Sequence, residues 1–120
     1  MNPVVELEER PACAVVRVRA CTDAAVAAEE LRAALAVAVR SHPYVVVDLA
    51  EVHTLDDTVL GLLVRAHRAV RRHDGLVCLA APSRFVITVL HTMKVDGLFP
   101  LFDDCETAFE WLRSEFITAG

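Results

Sequence analysis

The 120-residue chain predicts an α/β fold: a mixed, largely parallel sheet of four to five strands with four helices packed on it. Three observations lead there. Tyr44 to Leu49 (YVVVDL) is a continuous apolar, β-branched run, the pattern of a central strand covered on both faces. On either side the apolar spacing becomes helical, first over Leu31, Leu35, Ala38 and Val39, then over Val59, Leu62, Leu63, Ala66, Ala69 and Val70. Strands separated by helices imply right-handed crossovers and mostly parallel pairing.

The first elements are two strands, Val4 to Glu8 and Cys13 to Val18, joined at Arg10-Pro11. Arg17 interrupts the apolar run of the second, as expected where one face is wetter. Asp23 is placed to cap a helix that runs to about Arg40, with Glu29 and Glu30 near its start. That helix stops before Ser41-His42-Pro43, because the residue before a proline avoids the α region. After the YVVVDL strand comes the loop AEVHTLDD, then a second helix from about Thr58 to Arg72. His73-Asp74-Gly75 closes it, with the glycine suited to a left-handed stop. Leu76 to Ala80 is another buried strand. Pro82-Ser83 opens a third helix through about Met93, with Pro82 near its first turn. Val95 to Phe102 reads as an irregular or short-strand segment. A last helix starts near Asp103-Asp104 and buries Ala108, Phe109, Leu112 and Phe116.

Length and composition point to one domain, residues 1–120, able to bury about two-thirds of its unfolded surface. Hydrophobic residues make up 55%, largely Ala and Val, which suits a well-covered sheet. The longest apolar run, Ala33 to Val39, is far short of the roughly 20 residues a spanning helix needs, so no membrane association is expected. The N-terminus MNPVVELEER is acidic and has no apolar core, so no signal peptide is expected either. Cys13, Cys21, Cys78 and Cys105 are scattered, with no C-x-x-C pair; free thiols in a reducing, cytoplasmic compartment account for them. A net charge of −5 argues against direct nucleic-acid binding.

Catalytic motifs are missing. None of the four glycines falls in a phosphate-binding pattern, so no cofactor is expected. His42, His53, His67, His73 and His91 have no metal-ligand spacing, and Ser41, Ser83 and Ser114 read as turn, cap or surface residues. Arg65, Arg68, Arg71 and Arg72 form a basic cluster on the second helix. A solvated face complementing the helix's negative end explains it most simply, and a patch for an acidic partner is the alternative.

One segment stands apart: Thr54-Leu55-Asp56-Asp57-Thr58-Val59-Leu60-Gly61, at the mouth of the second helix. Asp57 or Thr58 could serve simply as an N-cap, worth about 1 kcal/mol. The same position, beside free N–H groups and a positive dipole end, also suits a modification or docking site.

The stretch VVVDLAEVHTLDDTVLGLLVRAHRAVRRHDGLVCLAAPSRFVITVLHTMKVDGLFPLFDDCETAFEWL resembles the body of a STAS domain, the family of anti-anti-sigma factors (anti-sigma factor antagonists). The likeness lies in an ordered set: a strand ending in D-L, a D-S-[ST]-G-L-G loop entering a helix, a glycine turn, and an L-F-P-x-F segment before a final helix. It covers about Ala12 to Leu112, and Ala20-Cys21-Thr22-Asp23 stands where the family often has G-E-L-D. The resemblance implies a bacterial partner-switching module that is not an enzyme and that regulates transcription. In such proteins a cognate kinase, often itself the anti-sigma factor and here expected to be of the GHKL type, phosphorylates the first Ser of the loop; the unphosphorylated form binds the anti-sigma factor and the phosphorylated form lets go.

Asp56 and Gly61 match that pattern, but Asp57 occupies the phosphorylated Ser position and Val59 replaces a glycine. A carboxylate accepts no stable regulatory phosphoester; it carries −1, against about −1.5 to −2 for phosphoserine. Three outcomes follow: Asp57 acts as a permanent phosphomimetic, or removes control altogether, or leaves Thr58 as a substitute acceptor. By the resemblance, Asp23, Asp56, Asp57, Thr58, Val59 and Leu60 are the expected partner-binding residues, and a homodimer is left open. Two rival readings are a STAS-like scaffold or subunit of a larger transport or stress-sensing complex, and a small nucleotide-binding domain using Asp56 and Asp57.

Overall fold

The computed structural model describes residues 4–20 and 23–117, with side chains to residue 115. Its elements run β1 (Val5–Glu9), β2 (Ala14–Val18), α1 (Ala24–Ser41), β3 (Tyr44–Asp48), α2 (Asp57–Arg71), β4 (Leu76–Ala80), α3 (Arg84–Thr92), a 3₁₀ turn (Asp96–Leu98), β5 (Leu101–Phe102) and α4 (Cys105–Leu112). The expected order therefore holds. The five strands lie in the order β1-β2-β3-β4-β5; β1 is antiparallel to β2 and every other pair is parallel. Sequence positions Cys21, Thr22 and the Phe116 side chain lie outside the described residues, so the expectations placed on them stand outside the structure too.

Strand alternation divides the core into two layers. Ala14, Val16, Val45, Val47, Val77 and Leu79 face α1, α2 and α3, meeting Leu31, Leu35, Leu63, Val70, Val86 and Leu90. Cys13, Val15, Val46, Cys78 and Ala80 face the other way, onto Ala108 and Leu112 of α4. Because both faces of β3 are covered, Val45, Val46 and Val47 are fully buried, which is why the strand is apolar without alternation. The face of β2 that carries Arg17 is drier than expected: α4 covers Val15 completely, and only the strand's end reaches solvent. There Arg17 donates to Glu8 at 2.6 Å and lies 3.7 Å from Asp48. On α4, Phe109 is only half-buried.

The turn after α2 departs from expectation. Asp74, not Gly75, takes the left-handed conformation, at φ 58°. Gly75 is needed for a different reason: a Cβ there would lie 1.9 Å from the Pro43 carbonyl oxygen. That carbonyl accepts from Leu76 N at 3.0 Å, so the backbone of the loop before β3 is pressed directly against the start of β4. Pro82 lies outside α3, which begins at Arg84 with Ser83 as its cap. The segment from 95 to 102 resolves into the 3₁₀ turn and the two-residue β5. Among the described residues, no helix is long and apolar enough to cross a membrane.

Candidate functional site

The loop between β3 and α2 is built from the core outward. Leu55 and Leu60 are each 6% exposed and join the same core layer. They occupy the positions of a hydrophobic staple, just before the N-cap and in the first turn, and so fix the angle at which the chain enters α2. The N-cap between them is Asp56, one residue earlier than the Asp57 or Thr58 expected. Its backbone is extended, and its Oδ1 accepts from Val59 N at 2.9 Å. With the capping role taken by Asp56, Asp57 is the first residue of the helix and is exposed, as is Thr58. Both stand in the turn whose N–H groups have no intrahelical acceptor.

Asp23 caps α1, accepting from Ala25 N at 3.1 Å and Val26 N at 3.2 Å. The heads of α1 and α2 flank one concavity of about 220 Å³, lined by Ala24 and Ala27 of α1, Leu49 and Val52 of the loop, the N-cap Asp56 and Val59 of α2. The structure thus sets Asp56 and Val59 in the wall of one hollow, while Asp23 caps the helix whose first residue, Ala24, lines it, and Asp57 and Thr58 are exposed beside Asp56. Leu60, by contrast, is 6% exposed: its side chain is part of the core beneath the site and supports the loop.

A clasp across the mouth of the hollow was not foreseen. Glu51 accepts from Arg19 at 3.0 Å and from the Ala20 backbone at 3.2 Å, while Arg19 also donates to Glu6 at 3.0 Å. The Ala20 N–H, then the Arg19 guanidinium, hold the Glu51 carboxyl below its ordinary range. The clasp ties the segment before α1 to the loop before α2, two regions that 31 to 32 residues separate in sequence. Only the alternation of Arg and Glu at strand ends could have hinted at it.

On the opposite layer, burial and then the neighbouring Asp48 carboxylate push the Cys105 thiol up to about 12; burial does the same to Cys78. Cys13, Cys78 and Cys105 are free, and burial raises Cys13 as well. These are poor nucleophiles at neutral pH. Among the described residues no group of three His, Cys, Asp or Glu side chains could hold a metal ion.

The STAS domain family model matches residues 4–108. In structure the chain is similar to the anti-sigma factor antagonist SpoIIAA in its unphosphorylated form, with 20% identity, a TM-score of 0.78 and coverage of 92% of this chain and 96% of that one. It is also similar to the Bacillus cell fate determinant SpoIIAA in the phosphorylated form (20% identity, TM-score 0.73, 91% and 99% covered). An anti-sigma factor antagonist from Mycobacterium paratuberculosis gives 24% identity, a TM-score of 0.77 and coverage of 91% and 92%. At these identities the likeness is one of fold. No curated protein matches the chain in sequence.

Proposed function

The chain belongs to the STAS domain family, and on that premise we propose that it is an anti-sigma factor antagonist whose switch position is fixed by Asp57. It is a binding module, not a catalyst, and its partner is a cytoplasmic anti-sigma factor of the GHKL serine-kinase type. The observation that carries the reading is the surface at the head of α2: Asp57 and Thr58 are exposed, and Gly61 follows one turn later with open space around its backbone. A glycine inside a helix costs about 1 kcal/mol relative to alanine. Nothing in the packing around Gly61 requires it, so the bare backbone is free for a partner's close approach.

Asp57 puts a permanent negative charge where the family pattern has a phosphorylatable serine. The positive end of α2 stabilises that charge. It is smaller than a phosphate and carries no phosphoester chemistry, so binding is decoupled from ATP. Asp23 and Asp56, as caps, hold the rims of the hollow in place, and Val59 fills part of its wall. Titration of the chain against cognate GHKL-type anti-sigma kinases by calorimetry tests this. A complex whose affinity is unchanged by prior incubation with ATP, and falls in Asp57→Lys, is the expected result. Release on ATP treatment, or no complex with any such kinase, would overturn it.

A further inference from the structure

We infer that the groove between α1 and α2 is a docking site for an amphipathic helix with acidic flanks, contributed by a protein partner. The groove encloses about 220 Å³ and is lined chiefly by Leu35, Ala36, Val39, Leu62 and Ala69, with Arg65 at its edge. Small side chains at positions 36 and 69 leave the hollow between the two helices unfilled. Beside it the outer face of α1 is also apolar: Ala33, Ala36 and Val37 are exposed, Val37 by 40%.

Charge selects the occupant. At about 100° per residue, Arg65, Arg68 and Arg72 fall within roughly 60° of one another along α2. Among the described residues these three make no ion pair. No acidic residue follows Asp57 in α2, so this strip is cationic on a chain whose net charge is −5. On α1, Arg32 borders the groove and is paired with Glu29. An apolar floor beside a row of unpaired guanidinium groups matches a helix with an apolar ridge and a carboxylate flank.

The shape argues against other occupants. Packed helices lie about 8–10 Å apart, and the groove between them accepts one ridge of side chains from a third. A lipid surface favours large apolar residues that protrude, whereas the larger side chains of the groove floor, Leu35 and Leu62, are recessed beside the arginines. A nucleic-acid backbone has no use for the apolar floor. A second copy docking through this same face would set one arginine row against another.

The inference does not depend on Asp57 or on an anti-sigma partner, and its test contains neither. The ¹⁵N-labelled chain is titrated with a synthetic amphipathic helix of about 18 residues carrying a leucine ridge and glutamate flanks, and with the same peptide carrying lysine flanks. The glutamate peptide should shift the amides of Ala36, Leu62, Arg65 and Ala69, and the lysine peptide should not. In Arg65→Glu/Arg68→Glu the affinity should fall about tenfold, the sum of two exposed ion pairs. Ala69→Leu, which fills the groove from the half-buried side, should weaken binding while leaving the circular dichroism unchanged. Shifts centred elsewhere, no shifts at all, equal response to both peptides, or preferential binding to phosphatidylserine vesicles or duplex DNA would each overturn the inference.

Discussion

Replacing Gly61 by alanine should make the protein more stable, and replacing Gly75 by alanine should make it less so. Both glycines belong to α2 or its exit, yet their surroundings differ completely. A Cβ at position 61 meets nothing within 4 Å, so the substitution gains the helix preference of alanine, about 1 kcal/mol, with no steric offset. For a domain of this size that is a rise in Tm of roughly 3–6 °C. A Cβ at position 75 lies 1.9 Å from the oxygen and 2.7 Å from the carbon of the Pro43 carbonyl. Both are backbone atoms, and moving them strains the 3.0 Å bond from Leu76 N that starts β4 beside β3. Overpacking of this kind costs about 1–3 kcal/mol. The two variants should therefore differ by at least about 2 kcal/mol in urea unfolding followed by circular dichroism. Gly61→Ala should at the same time weaken binding to an anti-sigma kinase, because the added methyl occupies the close-approach surface. A Gly61→Ala protein no more stable than wild type, or a Gly75→Ala protein equal to it, would mean that these surroundings do not set the two costs.

Asp56→Ala removes the carboxylate that accepts from Val59 N and should cost about 1 kcal/mol, whereas Asp57→Ala, which caps nothing, should change stability by less than about 0.5 kcal/mol; equal losses would contradict the assignment of the cap. Cys78 and Cys105, pushed up to about 12, should resist iodoacetamide at pH 8 in the native state and react in urea. Labelling of native Cys105 at the rate of a free thiol, mapped by mass spectrometry, would count against its burial beside Asp48. Burial, followed by Arg71 and Arg68, holds His67 below its ordinary pKa, and its Nδ1 is buried without a hydrogen-bond partner among the described residues. The stability tied to a depressed histidine is intact above its unfolded pKa of about 6.5 and lost as pH falls through the lower folded value. Wild type should accordingly lose more stability than His67→Gln between pH 7.5 and 5.5, and parallel losses would show that His67 does not titrate in that way.

Much of the fold was legible because burial leaves a pattern in the chain. YVVVDL reads as a central strand since both its faces are covered, and α2 reads as amphipathic since one side, carrying Leu63 and Val70, is buried while the other meets water. What was not legible depends on partners distant in sequence. Gly75 looked like an ordinary helix stop because the Pro43 carbonyl that dictates it lies in another loop. β5 has only two residues and exists through its pairing with Leu79 and Ala80. At the site, Asp23 was recognisable as a cap from the periodic run after it. Asp56 and Asp57 were harder to separate, because two adjacent carboxylates offer the same chemistry and only the chain's entry angle, set by Leu55 and Leu60, decides between them. The clasp from Glu51 to Arg19 and Ala20 joins groups 31 to 32 residues apart, so the charges of Arg19 and Glu51 hinted at pairing without naming the partner.

If Asp57 occupies the switch position and removes phosphorylation as a control, the kinase reaction reveals it. With wild type and Asp57→Ser each incubated with a cognate GHKL-type anti-sigma kinase and ATP, and phosphosites mapped by mass spectrometry, wild type should carry no phosphate. The variant should carry a single phosphoserine at position 57, accompanied by release from the kinase. Phosphate on Thr58 of wild type, or a variant that binds the kinase yet stays unmodified, would contradict it.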